Sequence, residues 1–197
     1  MSNRKRICIP NSTYHTFSRC HDRQHYLQPD KMKVLMFDVL NLALEKYNFE
    51  LISFAIMDNH FHFLIRTLTD GPTISRIMQF IKAQFARRYN KIANRTGSFW
   101  NERFGDVIIE LTEDPEFYFH WLNWYMGYNS VRAHKVNDPR KYAYCSILSY
   151  LDENYRPPVK ITHHEYFLKL GKTFHERSKI FLEYEDIYRK RLCLNFL

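Results

Sequence analysis

The sequence predicts an α+β fold: a ferredoxin-like split βαβ sandwich, an antiparallel sheet with helices on one face, followed by a further helix and a helical extension. The first observation behind this prediction is the order of segments with strand and helix periodicity, which reads β-α-β-β-α-β-α. The second is that 45% of the 197 residues are hydrophobic, which is enough for a packed core. The third is that the chain has only five glycines and no internal repeat, which excludes fibrous and low-complexity classes.

The first predicted elements are a strand, a helix and a hairpin. The strands are predicted over residues 13–19, 49–57 and 60–67, and the helix from Pro29-Asp30 to about residue 47. The apolar residues that recur with helical spacing in this helix are Val34, Leu35, Val39, Leu42 and Ala43. Asp58 and Asn59 are typical turn residues, and they separate the two hairpin strands.

Two further helices and one strand complete the predicted sandwich. The second helix runs from Ile74 to about Asn90, the strand ends near residues 107–109, and the third helix begins at Asp114-Pro115 and reaches Ala133. The apolar face of the second helix consists of Ile74, Ile77, Met78, Ile81 and Phe85. We therefore predict one domain over residues 1–150 and a small helical extension over residues 151–197. In that extension Thr162 with Glu165, and Thr173 with Glu176, predict capping boxes.

Charge and composition favour a nucleic acid as the partner. Lys and Arg number 29 against 21 Asp and Glu, a formal net charge of +8, and 17% of the residues are aromatic. The four cysteines form no C-x-x-C pair, so neither a zinc knuckle nor a disulfide framework is indicated. No signal peptide or membrane span is predicted, and we expect a cytoplasmic protein without a membrane partner.

The segment His60-Phe61-His62 is the sharpest local feature. Alternate residues of a strand share a face, so both imidazoles are expected on one solvent-facing side while Phe61 and Phe63 point into the core. Two histidines on one face form half of a divalent-metal site. The same spacing also arises on an ordinary polar sheet surface, and the spacing alone does not choose between these interpretations.

A stripe of the third helix changes from aromatic to polar along its length. It consists of Tyr118, Leu122, Tyr125, Asn129 and Arg132, at steps of four, three, four and three residues. Tyr125 and Asn129 are neighbours on the helix surface, where an amide oxygen can complete a metal shell beside a phenol that faces a phosphate. The alternative is an aromatic core stripe.

Basic and aromatic residues elsewhere suit a single-stranded nucleic acid. Arg76, Lys82, Arg87 and Arg88 of the second helix could neutralise phosphates, while Trp100 and Phe104 beside Arg103 could stack with unpaired bases. Each has a simpler interpretation, since a charged helix face is commonly just solvated and a tryptophan is commonly part of the core. Similarly, His163-His164-Glu165 only superficially resembles a metal cluster, because a capping role accounts for Glu165.

Three ordered segments carry a resemblance to a known family. Residues 57–64, M-D-N-H-F-H-F-L, resemble the M-P-N-H-x-H-hydrophobic signature of single-tyrosine HUH transposases. Residues 97–104, G-S-F-W-N-E-R-F, are similar to the G-x-x-W-x-x-R-[FY] block of REP-associated tyrosine transposases. Residues 124–133, W-Y-M-G-Y-N-S-V-R-A, resemble the Y-I-x-x-N-P-V-R-A helix of that group. The resemblance covers residues 13–149.

The resemblance implies a transposase that binds single-stranded DNA next to a hairpin and cuts it with a tyrosine nucleophile. By position, His60 and His62 would be the metal ligands, Tyr125 the nucleophile, and Asn129 the residue that approaches the metal. A mixed imidazole and amide site suits Mg²⁺ or Mn²⁺, and Arg132 joins the residues expected to contact DNA. REP-associated relatives imply a monomer rather than a helix-swapped dimer.

Two positions depart from the family pattern. Asp58 replaces a proline, which alters the turn and is expected to place an additional carboxylate near the metal. Ser130 replaces a second proline and removes a constraint on the helix. These departures keep open a second function, a DNA- or RNA-binding module that no longer cuts and acts as a repressor. A third is a metal-dependent hydrolase that uses water, for which Tyr125 would be dispensable.

Overall fold

A four-stranded antiparallel sheet organises the protein. The computed structural model describes residues 6–194. Its strands are β1 (Thr13–Arg19), β2 (Phe49–Ile56), β3 (His60–Thr67) and β4 (Gly105–Ile108). Their order across the sheet is β2-β3-β1-β4, and every neighbouring pair is antiparallel. This arrangement confirms the predicted fold class.

Helices α1 (Asp30–Lys46) and α2 (Ile74–Ile92) cover one face of the sheet. The five residues predicted for the apolar face of α2 are all buried, and Thr73 caps the helix by accepting a hydrogen bond from the Arg76 amide at 3.3 Å. Phe61 and Phe63 stack beneath these helices with 4.2 Å between their ring centroids. The core on this side therefore matches the sequence pattern.

The buried face of α1 differs from the predicted one at Val34, which is 49% exposed. The residues buried instead include Met32, Met36 and Leu40. Because α1 is apolar on most of its circumference, periodicity alone does not fix which face packs on the sheet.

Helix α3 (Pro115–Arg132) lies on the opposite face of the sheet, where Phe119, Leu122 and Trp124 join a second core with strand residues such as Leu64. The helix begins as predicted, with the Asp114 carboxylate accepting a hydrogen bond from the Phe117 amide at 3.0 Å. The side chains of His60 and His62 on β3 lie on the face of the sheet that α3 covers, not on the face that α1 and α2 cover.

The extension after residue 150 forms a layer over α3. It contains the short helix α4 (Glu165–Leu168) and the long helix α5 (Phe174–Leu194). The Trp124 indole donates a hydrogen bond to the Phe181 carbonyl at 2.9 Å, and Phe167 and Phe181 are fully buried. The boundary at residue 150 stays a prediction. Along the described residues, no helix combines the length and the apolar character that crossing a membrane requires.

One of the two predicted capping boxes is wrong. Helix α4 is capped by His164, whose Nδ1 accepts a hydrogen bond from the Tyr166 amide at 3.2 Å, rather than by Thr162. The box at α5 is confirmed, because Thr173 and Glu176 each accept a hydrogen bond from the other's amide. The predicted capping role of Glu165 is therefore wrong, and its carboxylate instead pairs with Arg66 and Lys169.

Two buried histidines in this layer predict acid sensitivity. Burial lowers the pKa of His120 and of His164 to about 4, with smaller contributions from His164 at the first and from Arg66 and Lys169 at the second. The unfolded chain binds these protons near pH 6.5, so the free energy of unfolding is full above that pH and falls as the pH drops towards 4. We expect a loss of up to about 3 kcal/mol per histidine.

Thermal unfolding followed by circular dichroism between pH 7 and 4.5 measures this loss. His120→Phe fills a similar volume without a titrating group, so its profile should be shallower than that of the unmodified protein. Coincident profiles would contradict the assignment to His120.

Candidate active site

A pocket of ≈ 530 Å³ opens where β1, β3 and α3 meet. Polar and basic side chains dominate its wall. Phe17 is the one phenylalanine among them. The lining residues are His15, Phe17, Ser18, Arg19, His60, His62, Asn101, Glu102, Arg103, Gly105, Tyr125 and Asn129. The pocket thus brings together residues from four separate parts of the chain.

His60 and His62 lie side by side on β3, as the alternation of the strand predicts. Their ring centroids are 5.1 Å apart and the rings are perpendicular, at 89°. The expectation that both face solvent is wrong for His62, which is only 6% exposed. Helix α3 and the neighbouring strand β1 cover it.

A hydrogen bond holds each of the two imidazoles through its Nδ1 atom. His60 Nδ1 lies 2.7 Å from Asn59 Oδ1, and His62 Nδ1 lies 2.9 Å from His15 Nε2 on β1. These contacts engage Nδ1 and leave Nε2 of both rings available for a ligand. An Nδ1–H donated to a neighbour is the usual way in which proteins orient a histidine that binds a metal through Nε2.

Sequence reasoning missed His15. The only available signal is that His15 and Phe17 occupy alternate positions of β1 and so share a face, as His60 and His62 do on β3. Register decides which of these residues meet across the sheet, with Phe17 opposite His62 and His15 opposite Leu64. A single sequence does not contain that register.

The electrostatic surroundings keep both candidate ligands neutral at pH 7. Burial, followed by the charges of the nearby Arg19 and Arg132, lowers the pKa of His60 to about 4. Burial also lowers the pKa of His62 well below its ordinary value, followed by the effects of His15 and His60. A neutral imidazole offers a lone pair, which metal binding requires.

Tyr125 projects from α3 into the same pocket. Its ring centroid is 5.7 Å from that of His62, with the rings at 86°, and it stacks on Trp121 at 5.6 Å. The Arg132 guanidinium lies 4.6 Å from the Tyr125 ring centroid. The other two tyrosines of the helix lie elsewhere: the Tyr128 hydroxyl donates a hydrogen bond to Glu185 at 2.7 Å, and Tyr118 is outside the pocket lining.

Asn129 lies one turn after Tyr125 and is 8% exposed. Its Nδ2 donates to the Tyr125 carbonyl at 3.0 Å, and its Oδ1 accepts from Arg132 at 2.9 Å. An amide oxygen has two lone pairs, so one remains for a further partner. Arg132 therefore contacts both the candidate nucleophile and the candidate amide ligand.

The donor set fits a hard divalent ion that keeps part of its water. Within residues 6–194 no three His, Cys, Asp or Glu side chains are placed together as metal ligands. Two imidazoles and one amide oxygen leave several coordination positions for water and phosphate oxygens. Mg²⁺ and Mn²⁺ accept such a shell, whereas structural zinc sites are closed by four protein ligands.

Asp58 does not add a carboxylate to the pocket, which corrects the expectation drawn from its position. Its carboxylate is buried and forms ion pairs with Lys33, at 3.0 Å, and with Lys135. Burial alone would raise the Asp58 pKa, but the hydrogen bonds from Lys135 and Lys33 hold that pKa below its usual value. The second departure is local, because the Ser130 hydroxyl donates to the Gly127 carbonyl at 2.8 Å within α3.

The basic residues predicted to bind DNA fall into two groups. Arg103 is exposed and lines the pocket, and Arg132 is exposed beside it. The residues of α2, Arg76, Lys82, Arg87 and Arg88, lie on the helix that covers the other face of the sheet. Lys82 donates to the Glu102 carbonyl at 2.6 Å, and burial followed by Arg6 lowers its pKa to about 8.

Trp100 and Phe104 do not present open ring faces, which corrects their predicted stacking role. Trp100 is 7% exposed, packs against Phe61 and Phe85, and donates its indole N–H to the Lys82 carbonyl at 3.0 Å. Phe104 is 9% exposed beneath the Arg6 guanidinium, 3.7 Å from the ring centroid. Both rings belong to the core, and only their edges border a groove along α2.

The fold and the pocket together define a class of protein: a ferredoxin-like domain in which two strand histidines face a tyrosine on a separate helix. The model of the IS200-like transposase family matches residues 8–113, which are 106 of the 197 residues. The chain therefore belongs to the IS200-like transposase family. The matched region contains both strand histidines and ends before α3 begins.

Several solved structures resemble this protein, among them two transposases. A REP-associated tyrosine transposase bound to a REP hairpin superposes with a TM-score of 0.63 at 18% identity, over 82% of this chain and 92% of that one. A proposed transposase from Deinococcus radiodurans R1 matches with a TM-score of 0.43 at 19% identity, over 54% of this chain and 85% of that one. The first likeness extends the shared fold beyond the family match. The comparison with curated proteins finds no significant match.

Proposed function

We propose that this transposase is a metal-dependent single-strand DNA endonuclease and strand transferase of the REP-associated type, acting through a 5′-phosphotyrosine intermediate. The observation that carries the proposal is the position of Tyr125, whose ring faces His62 across the pocket at 5.7 Å. Its neighbours on the helix, Tyr118 and Tyr128, do not line the pocket. The nucleophile and the candidate metal ligands thus face one space that a phosphate can enter.

In the proposed reaction the Tyr125 phenol loses its proton to solvent and its oxygen bonds to the scissile phosphorus. The bond from phosphorus to the 3′ oxygen breaks, and that oxygen takes up a proton as the free 3′ hydroxyl. The Arg132 guanidinium, 4.6 Å from the Tyr125 ring centroid, places a positive charge beside the reacting groups, where it can offset negative charge that develops during the transfer. A divalent ion held by His60, His62 and Asn129 would polarise a non-bridging phosphate oxygen and offset the developing charge.

The intermediate conserves the phosphodiester energy in the tyrosine linkage. A 3′ hydroxyl from another strand can therefore reverse the step and rejoin DNA without ATP. This property separates a strand transferase from a nuclease that releases its product to water, since attack by water does not conserve the bond.

We propose that Tyr125 acts within its own subunit and that the protein is a monomer. Helix α3 packs on its own sheet, and α5 covers it from outside through buried Phe181 and Tyr188. The Tyr128 hydroxyl of α3 donates a hydrogen bond to Glu185 of α5, and Arg140 pairs with the same carboxylate. Exchanging α3 alone with a partner would break the contacts that α3 makes with α5 of its own chain.

The proposed substrate is single-stranded DNA beside a hairpin, and its binding should depend strongly on salt. Log affinity is expected to fall with log salt at a slope of about −0.7 per neutralised phosphate on a single strand. Arg103→Ala should reduce the slope by about one such increment, because Arg103 is exposed at the pocket rim. Fluorescence anisotropy across a salt series measures both slopes.

Lys179→Ala is the matched control, because Lys179 is exposed on α5, away from the pocket. Its slope should equal that of the unmodified protein. Equal affinity for blunt duplex and single-stranded DNA at every salt concentration would count against the proposed substrate.

A covalent adduct tests the proposed function. The protein is incubated with Mg²⁺ or Mn²⁺ and single-stranded DNA from beside its own gene, and a denaturing gel then separates protein that carries a nucleotide. A shifted band supports the transferase. The repressor-like alternative has one observation in its favour, since Arg132 already occupies one lone pair of Asn129 Oδ1; tight hairpin binding without adduct or cleavage would support it.

A further inference from the structure

Phe17 is an exposed aromatic ring inside the candidate active site. Among residues 6–194 it is the most exposed Phe, Tyr or Trp, at 39%. Scattered exposed hydrophobic residues are ordinary on protein surfaces. Phe17 differs because it lines the pocket that also contains His62 and Tyr125, where every other aromatic lining residue is a tyrosine or a histidine.

The local structure holds the Phe17 ring in a defined position. The ring lies over β4 at Gly105, where an added Cβ atom would come within 2.4 Å of the ring carbons. The Phe17 ring centroid is also 5.3 Å from that of His15 and 6.0 Å from that of His62, and both imidazoles are tilted against it. The absence of a side chain at position 105 therefore provides the space in which the ring lies across the sheet.

Charged groups belong to the same pocket as the exposed ring. Arg19, two residues along β1, and Arg103 are exposed pocket residues, and Arg132 lies beside Tyr125. Glu102 is the single acidic residue in the lining. An aromatic ring and arginines in one pocket suit a ligand that alternates flat apolar groups with phosphates, which is the chemistry of an unpaired nucleic-acid strand.

We propose that Phe17 is the stacking platform for an unpaired base next to the scissile phosphate. This inference rests on the proposed function and assigns to Phe17 the role that Trp100 and Phe104 cannot fill. The ring fixes the base by its π face, so it orients the strand without selecting a base by hydrogen bonds. The arginines hold the adjoining phosphates while Tyr125 faces the reacting one.

The test separates base stacking from phosphate binding. Two probes are compared: an oligothymidylate of about 12 nucleotides and an abasic strand of the same length, both labelled for anisotropy. Measurements are made in EDTA, so neither metal binding nor cleavage contributes. Phe17→Ala should weaken oligothymidylate binding about tenfold and change abasic-strand binding less than about twofold. Phe17→Trp should restore base-dependent binding.

Ile92→Ala is the matched control, because Ile92 is a large hydrophobic side chain, 55% exposed, outside the pocket. It should leave both affinities unchanged. An equal loss for both probes with Phe17→Ala, or equal affinity of the unmodified protein for the two probes, would overturn the stacking role. If binding depends on the bases through Phe17 but the protein forms no covalent adduct with DNA, the proposed function is contradicted and the stacking role is retained.

Discussion

Tyr125→Phe is expected to abolish the covalent protein–DNA adduct while folding and DNA binding survive. The substitution removes only the hydroxyl, which is the proposed attacking group. The ring keeps its contacts with Trp121, His62 and Arg132, so the packing of α3 should not change. A denaturing gel measures the adduct, and anisotropy with the same DNA measures binding.

Two neighbouring tyrosines provide the controls on the same helix. Tyr118→Phe and Tyr128→Phe should still form the adduct. Tyr128→Phe also loses the hydrogen bond to the Glu185 carboxylate, so it should lower stability by about 1–3 kcal/mol. Tyr128→Phe is thus expected to lose stability and keep the adduct, whereas Tyr125→Phe is expected to keep stability and lose the adduct.

Mass spectrometry of the trapped adduct identifies the nucleophile directly. A nucleotide on Tyr118 or Tyr128 would overturn the assignment to Tyr125. Cleavage that persists in Tyr125→Phe without an adduct would favour the hydrolase that uses water. The outcomes thus distinguish all three functions that the sequence leaves open.

The parts of the fold that were predictable depend on local patterns. Helix α2 has its apolar residues on one face and Thr73 as its cap, so its start at Ile74 follows from the sequence. The alternation of β3 places Phe61 and Phe63 opposite the two histidines, whichever strands flank it. The order of the elements then leaves few topologies, and a ferredoxin-like sandwich is the one observed.

The parts that were not predictable depend on contacts between distant segments. From the sequence, Trp100 fits a core position and a base-stacking position equally well. The position of α2 decides between them, because the Trp100 indole donates a hydrogen bond to the Lys82 carbonyl. From the sequence, Asp58 is expected to be a free carboxylate, because no neighbouring residue in the sequence indicates that Lys33 and Lys135 form ion pairs with it. His15 and Phe17 become site residues only through the register between β1 and β3. Such long-range pairing is what a single sequence does not encode in any local pattern.

The metal assignment leads to the second large expected effect. His60→Ala should reduce cleavage stimulated by Mg²⁺ or Mn²⁺ by about 100-fold or more, since loss of even an outer-shell partner of a metal ligand typically costs 10- to 100-fold. It should also remove Mn²⁺ binding measured by electron paramagnetic resonance in the absence of DNA. His60 is only partly buried, and its side-chain hydrogen bond is to the adjacent Asn59. Removing the His60 imidazole should therefore change thermal stability little.

His62→Ala should remove the same activity at a higher cost in stability. His62 is 6% exposed and its Nδ1 bonds to buried His15, so the alanine leaves a cavity and a histidine without its partner. The pair of variants therefore separates the metal function, which both lose, from the packing function, which mainly His62 provides. His25→Ala, at an exposed histidine outside the pocket, should bind Mn²⁺ and cleave like the unmodified protein. Unchanged metal-stimulated cleavage in the His60→Ala, His62→Ala double variant would show that the strand histidines do not hold the ion.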